Sequence, residues 1–104
     1  MKWLIGLLFS VSLVHAFERP GDLVQIRPRI WNFSNQVQVE IWNTTETDIE
    51  CRGTISIQSE RGGYQSEYYW ETIYRGMSRS RTFWLRDFND RVRFVNEFIN
   101  CYER

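Results

Sequence analysis

Beyond residue 16 this chain contains no lysine and no histidine; Lys2 and His15 both fall in its first sixteen positions. Without them, Ser/His/Asp and Cys/His nucleophilic arrangements, Schiff-base chemistry and histidine-based metal sites have nothing to stand on in the rest of the chain. Cysteine is scarce too. Cys51 and Cys101 are the only pair, whereas a zinc site wants four ligands and a redox motif wants neighbouring thiols. No Pro/Ser/Gly linker, repeat or low-complexity tract is present, and no glycine-rich phosphate loop leads from a strand into a helix. An excess of one charge is missing as well: after residue 16, 12 arginines stand against 13 acids, a net charge of about minus one. That balance argues against nonspecific nucleic-acid binding, which needs a strong basic excess.

Long apolar runs are also lacking. Trp3 to Val14 is a 12-residue apolar stretch behind Lys2, and it ends at Val14-His15-Ala16, which offers the small residues a signal peptidase reads. Spanning a bilayer takes about 18 or more apolar residues. Residues 1–16 therefore read as a signal peptide cut between Ala16 and Phe17. Residues 17–104 read as a single domain, secreted or periplasmic, with no membrane span after cleavage. So small a domain has a marginal core and gains from a covalent staple. Two cysteines in an exported chain allow one intramolecular pairing, so a Cys51–Cys101 disulfide is expected. The chain-entropy estimate for closing a loop of about 50 residues is roughly 4 kcal/mol.

What is present is a hydrophobic period of two, the signature of strands. Val24, Ile26 and Ile30 alternate with Gln25, Arg27 and Arg29, and Pro28 marks that run as an edge, since proline cannot donate to a ladder. Turn residues Asn32 to Asn35 follow, then Val37, Val39 and Ile41 form a half-buried strand ending near Asn43. The clearest run has Ile49, Cys51, Gly53, Ile55 and Ile57 on one face, which points Cys51 into the core. Arg61-Gly62-Gly63 predicts a hairpin turn before an aromatic strand, Tyr64 to Tyr74, and Arg75 to Ser78 predicts another turn. The next strand, Arg79 to Arg86, sets Phe83 and Leu85 against Thr82 and Trp84. Residues 91–102 fit neither period strictly. A strand with a bulge near Phe94 and Val95 is preferred over a helix, because the segment is rich in β-branched and aromatic residues and Cys101 must reach Cys51.

These elements predict an all-β fold, a two-layer antiparallel β-sandwich of six to seven strands with one disulfide. In strand rhythm and in the Cys51 to Cys101 separation the chain resembles small secreted immunoglobulin-like or fibronectin-III-like domains. Such domains imply an immunoglobulin-like sandwich and binding more often than catalysis. An antibody-type domain carries a tryptophan soon after its first cysteine and a tyrosine two residues before its second. Here Trp70 comes late and Ile99 holds the tyrosine's place.

The candidate chemistry is correspondingly thin. Asp87 and Asp90 form the most compact carboxylate pair, but an ordinary polar loop is a better account than a glycosidase or a calcium site, so no catalytic residue, metal or cofactor is assigned. Along Tyr64 to Tyr74, alternation puts Tyr64, Tyr68, Trp70 and Tyr74 on one side, expected in the core. Tyr69 then falls on the polar side with Gln65, Glu67 and Glu71. Acids dominate Gln38 to Glu71 and arginines dominate Arg75 to Arg93, which predicts cross-strand charge pairing on a solvated sheet face. The function expected is a non-enzymatic binding domain engaging a protein partner in the cell envelope or extracellular space. Its patch would be Trp84, Arg81, Arg86, Tyr69 and Trp42, because tryptophan, tyrosine and arginine dominate interface energetics. The alternative is a carbohydrate-binding module that stacks Trp42 or Trp84 on a glycan; a secreted inhibitor or effector is a third. Asn32-Phe33-Ser34 and Asn43-Thr44-Thr45 match the N-glycosylation acceptor pattern.

Overall fold

The structure, a computed structural model, describes residues 21–104; the expected signal peptide lies outside the described residues. Seven strands account for most of that span: β1 (Leu23–Val24), β2 (Arg29–Phe33), β3 (Gln36–Trp42), β4 (Ile49–Ser59), β5 (Tyr64–Ile73), β6 (Ser78–Trp84) and β7 (Val92–Glu103). They form two antiparallel sheets, one of four strands in the order β1-β7-β4-β5 and one of three in the order β2-β3-β6. No described helix is long and apolar enough to cross a membrane.

The buried faces follow the period of two. Val37, Val39 and Ile41 from β3 meet Ile49, Cys51, Ile55 and Ile57 from β4, and Phe83, Leu85, Val92 and Ile99 complete the core. Cys51 and Cys101 are bonded, fully buried and directly opposite one another on neighbouring strands. The staple thus lies within the four-stranded sheet and does not bridge the two layers. The Gly62 turn joins β4 to β5 as a hairpin, with the Gly62 φ of 86° reaching a region closed to most side chains.

Two elements depart from the simple pattern for visible reasons. The run expected around Val24 to Ile30 is split, because the Ile26 amide turns back onto the Val24 carbonyl and Pro28 cannot donate. The chain uses that break to cross from one sheet to the other. In β7, Gln58 pairs with Phe94 while Ser59 pairs with Val92, so Arg93 is the extra residue of a bulge. This is why residues 91–102 fit no single period: Val92 and Val95 both turn inward although three positions apart.

Gly53 sits at the centre of β4, between Tyr69 of β5 and Ile99 of β7. A Cβ placed there would stand 1.8 Å from the Phe98 carbonyl oxygen, so the close approach of β4 and β7 requires glycine. At the far end of the sandwich Asn43 is fully buried and fully satisfied. Its Nδ2 donates to the carbonyls of Thr47 (2.8 Å) and Ile73 (2.9 Å), and its Oδ1 accepts from the Thr45 amide (3.0 Å) and hydroxyl (2.6 Å).

Candidate recognition face

The register of β5 on β4 decides which aromatics face water. Cys51 pairs with Glu71, Gly53 with Tyr69 and Ile55 with Glu67, so the odd positions of β5 share the core side. Tyr69 is therefore fully buried, while Tyr64, Tyr68, Trp70 and Tyr74 are exposed, the reverse of the expected assignment. The reason is that β5 is an edge strand. Its inward positions reach the open side of the sandwich, where polar groups can be satisfied: Gln65 donates to Glu67 (2.7 Å) and to the Trp84 carbonyl (2.8 Å) and accepts from the Arg86 amide (3.2 Å). Tyr69 lies beside them with its hydroxyl unpartnered, and burial together with the nearby Glu71 pushes its pKa up to about 12 against the opposing pull of Arg81 and Arg79.

The same rule operates on the other long strands with an open edge. Arg79 and Arg81 of β6 pair with Ile41 and Val39, on the core side, and Glu97 of β7 pairs with Ile55. Inward-pointing charge on β5, β6 and β7 is a device that discourages another strand from adding to the edge. It also corrects the expected charge pairing: the acids of β5 and the arginines of β6 belong to different sheets and are not laddered together. Ion pairs form instead between Arg29 and Glu40 (4.0 Å) and between Arg61 and Asp87 (3.8 Å).

Turned outward on the four-stranded sheet are three parallel rows. Phe94, Asn96, Phe98, Asn100 and Tyr102 come from β7, and Gln58, Ser56, Thr54, Arg52 and Glu50 from β4. Tyr64, Ser66, Tyr68, Trp70 and Thr72 come from β5. The central row is polar and its two neighbours are aromatic. Since adjacent strands lie about 4.8 Å apart, the aromatic rows stand about 10 Å from each other across a polar floor. Phe94, Phe98, Tyr64, Tyr68 and Trp70 are each between 55% and 64% exposed. Several rings are held to the floor: Trp70 Nε1 donates to Glu50, the Tyr64 hydroxyl shares a 3.0 Å hydrogen bond with Ser56, and the Arg52 guanidinium lies 5.3 Å from the Tyr102 ring centre. The result is a furrow in which Trp70, Tyr64 and Tyr102 are held in place.

The expected patch does not assemble. Trp84 and Trp42 do share the outer face of the three-stranded sheet with Trp31 and Phe33, all exposed, but they occupy opposite ends of it, Trp84 paired with Gln36 and Trp42 with Ser78. Arg81 lies on the inner side, its guanidinium 5.0 Å from the centre of the buried Phe83 ring, and Arg86 follows β6 in a loop. Tyr69 belongs to the interior. Phe94 and Phe98 were the residues sequence reasoning passed over, although alternation back from the inward Cys101 places both on the outward side with Tyr102.

The carboxylate pair is spent on turn construction. Asp87 accepts from the Asn89 amide (3.0 Å), and Asp90 accepts from the amides of Arg91 (2.8 Å) and Arg61 (3.2 Å). These bonds, led by one from the Ser59 hydroxyl, lower the Asp90 pKa below its ordinary 3.8. A pocket of about 180 Å³ lies here between Ser59, Gln65, Arg86, Asp87 and Asp90. Among the described residues no three acids or cysteines gather to hold a metal ion. The buried disulfide is compatible with an oxidising, extracellular compartment. No protein-family model, curated protein or solved structure matches the chain.

Proposed function

We propose that this chain is an exported, non-enzymatic binding domain that engages its ligand along the outer face of the four-stranded sheet. One observation carries the reading: two rows of half-exposed rings, several of them fixed by contacts to the floor between them. Large exposed aromatic groups mark interaction sites, and rings already held in place lose little freedom on binding. The lack of histidine, lysine and free thiol beyond residue 16, with both loop carboxylates engaged by backbone amides, supports binding without turnover.

The strand order supports the immunoglobulin-like resemblance in a rearranged form. With β2 to β7 read as strands A, B, C, C′, E and F, the sheets are A-B-E and C′-C-F, and β1 stands where the last strand G would run. The disulfide then joins C to F within one sheet, where antibody domains join B to F across the layers. A protein partner is the second reading, favoured by Trp31, Phe33 and Trp84, which cluster at one end of the other outer face.

The test is binding of the fluorescently labelled mature domain to envelope material from its native source. Trp70→Ala should abolish retention and Trp84→Ala should leave it intact. Equal retention of both variants sinks the assignment to this face, and turnover of any retained substrate sinks the non-enzymatic reading.

A further inference from the structure

Resting on the binding face proposed above, we infer that its ligand is a neutral glycan chain lying along the strand direction in the furrow. The first argument is charge. Of the fifteen outward positions on β7, β4 and β5 named above, only Arg52 and Glu50 are ionised, one of each sign. Arg52 is stacked on Tyr102 and Glu50 accepts from Trp70, so the two charges cancel and are locally engaged. A phosphorylated, sulfated or strongly acidic ligand finds no unopposed cation in this face.

The second argument is hydrogen-bonding capacity. The floor and the gaps between the rings are lined by Thr54, Ser56, Gln58, Ser66, Asn96 and Asn100, hydroxyls and amides that both donate and accept. No leucine, isoleucine, valine or methionine lies in these fifteen positions. The core of a protein–protein interface is apolar, and pressing one onto this floor would strand buried polar groups at about 1–3 kcal/mol each. A sugar chain answers both surfaces at once: its C–H faces stack on rings and its equatorial hydroxyls meet the side-chain hydroxyls and amides. Ring spacing suits a repeating ligand, since residues four apart in a strand, such as Phe94, Phe98 and Tyr102, are separated by about 13 Å.

The third argument excludes the commonest alternative use of a β-sandwich. An extended peptide would add to an open edge by backbone pairing, and the long edges carry the inward charges Glu67, Glu71, Arg79, Arg81 and Glu97. Apart from the five-residue edge strand β2, which carries no inward charge, what is left unguarded is the face.

The experiment is affinity electrophoresis of the disulfide-bonded domain in gels containing hydroxyethylcellulose, mixed-linkage β-glucan or galactomannan, with polygalacturonate and heparin as anionic controls. At least one neutral polymer should retard the protein, with less than a twofold change in apparent affinity between 50 and 500 mM salt. Tyr68→Ala and Phe98→Ala should each weaken retardation tenfold or more. Trp42→Ala and Trp84→Ala should stay within twofold. These side chains are exposed, and a near-native thermal midpoint confirms that each variant folds. Retardation by the anionic polymers alone, or by neutral polymers but unchanged in Tyr68→Ala, overturns the glycan assignment. So does the absence of retardation by every polymer. If a protein ligand is instead lost on Tyr68→Ala, the glycan is wrong and the face is right; if no ligand of either class responds to the furrow variants, both fail.

Discussion

The two outer faces of this sandwich carry similar side chains and differ in what stands beneath them. On the four-stranded sheet, Trp70, Tyr64 and Tyr102 are each tied to the central strand, by Glu50, Ser56 and Arg52. On the three-stranded sheet the central Glu40 spends its contacts on Ser80 (3.3 Å) and Arg29 (4.0 Å), and among the described residues Trp31, Trp42 and Trp84 have no such ties. Rings turned outward on the two sheets are therefore unequal as binding groups. Trp70, Tyr64 and Tyr102 have less rotamer freedom left to lose, whereas an untied ring gives it up on binding at about 0.5–1.5 kcal/mol per side chain.

The contrast extends to how each sheet is built, and the most disruptive change should fall on the furrow-bearing one. Gly53→Ala should cost on the order of 3 kcal/mol, since the added methyl meets the backbone of Phe98, while Gln38→Ala on the central strand of the other sheet should stay within about 0.5 kcal/mol. Urea unfolding of the two variants measures the difference; equal midpoints would show that the strands separate easily around Gly53. Asn43→Ala should cost about 2 kcal/mol, because Asn43 ends one sheet and holds the Ile73 carbonyl of the other, leaving buried carbonyls unpaired when it is cut back. The same titration reads it.

A smaller effect, and one of opposite sign, belongs to Tyr69, whose hydroxyl is buried between the sheets without a partner among the described residues. Tyr69→Phe should stabilise by about 1 kcal/mol, as removing an unsatisfied buried hydroxyl removes its desolvation cost. The pH dependence has a definite sign. The folded pKa of about 12 exceeds the ordinary 10, so the folded state keeps a proton that the unfolded chain releases. Stability is full below pH 10 and is lost as pH rises through 12. That alkaline loss should disappear in Tyr69→Phe, as followed by thermal midpoint against pH. Asp90 acts oppositely: its depressed pKa gives stability above pH 3.8 that is lost as the pH falls below that value.

Much of the fold was legible because single strands announce themselves. The alternation in β3 and β4 put Val37 to Ile41 and Ile49 to Ile57 inside, Gly62 marked the hairpin, and the cysteines pair. The face was less legible because it is a property of three strands in register. Glu67 and Glu71 made the odd side of β5 look solvent-facing; only its place at a sheet edge explains why carboxylates point inward there. Likewise Phe94, Phe98 and Tyr102 fall on one outward row by plain alternation from the inward Cys101, but that row becomes the wall of a furrow only when β7 is set beside β4 and β5.

Asn43 sets a condition on how this polypeptide is produced. In a eukaryotic secretory host the Asn43-Thr44-Thr45 acceptor is offered to the glycosylation machinery during translocation, before its amide nitrogen is committed to the Thr47 and Ile73 carbonyls. Sugar transfer and maturation then compete for one atom. A molecule modified first is barred from closing its two layers at that end, and a molecule that closes first is permanently out of the transferase's reach.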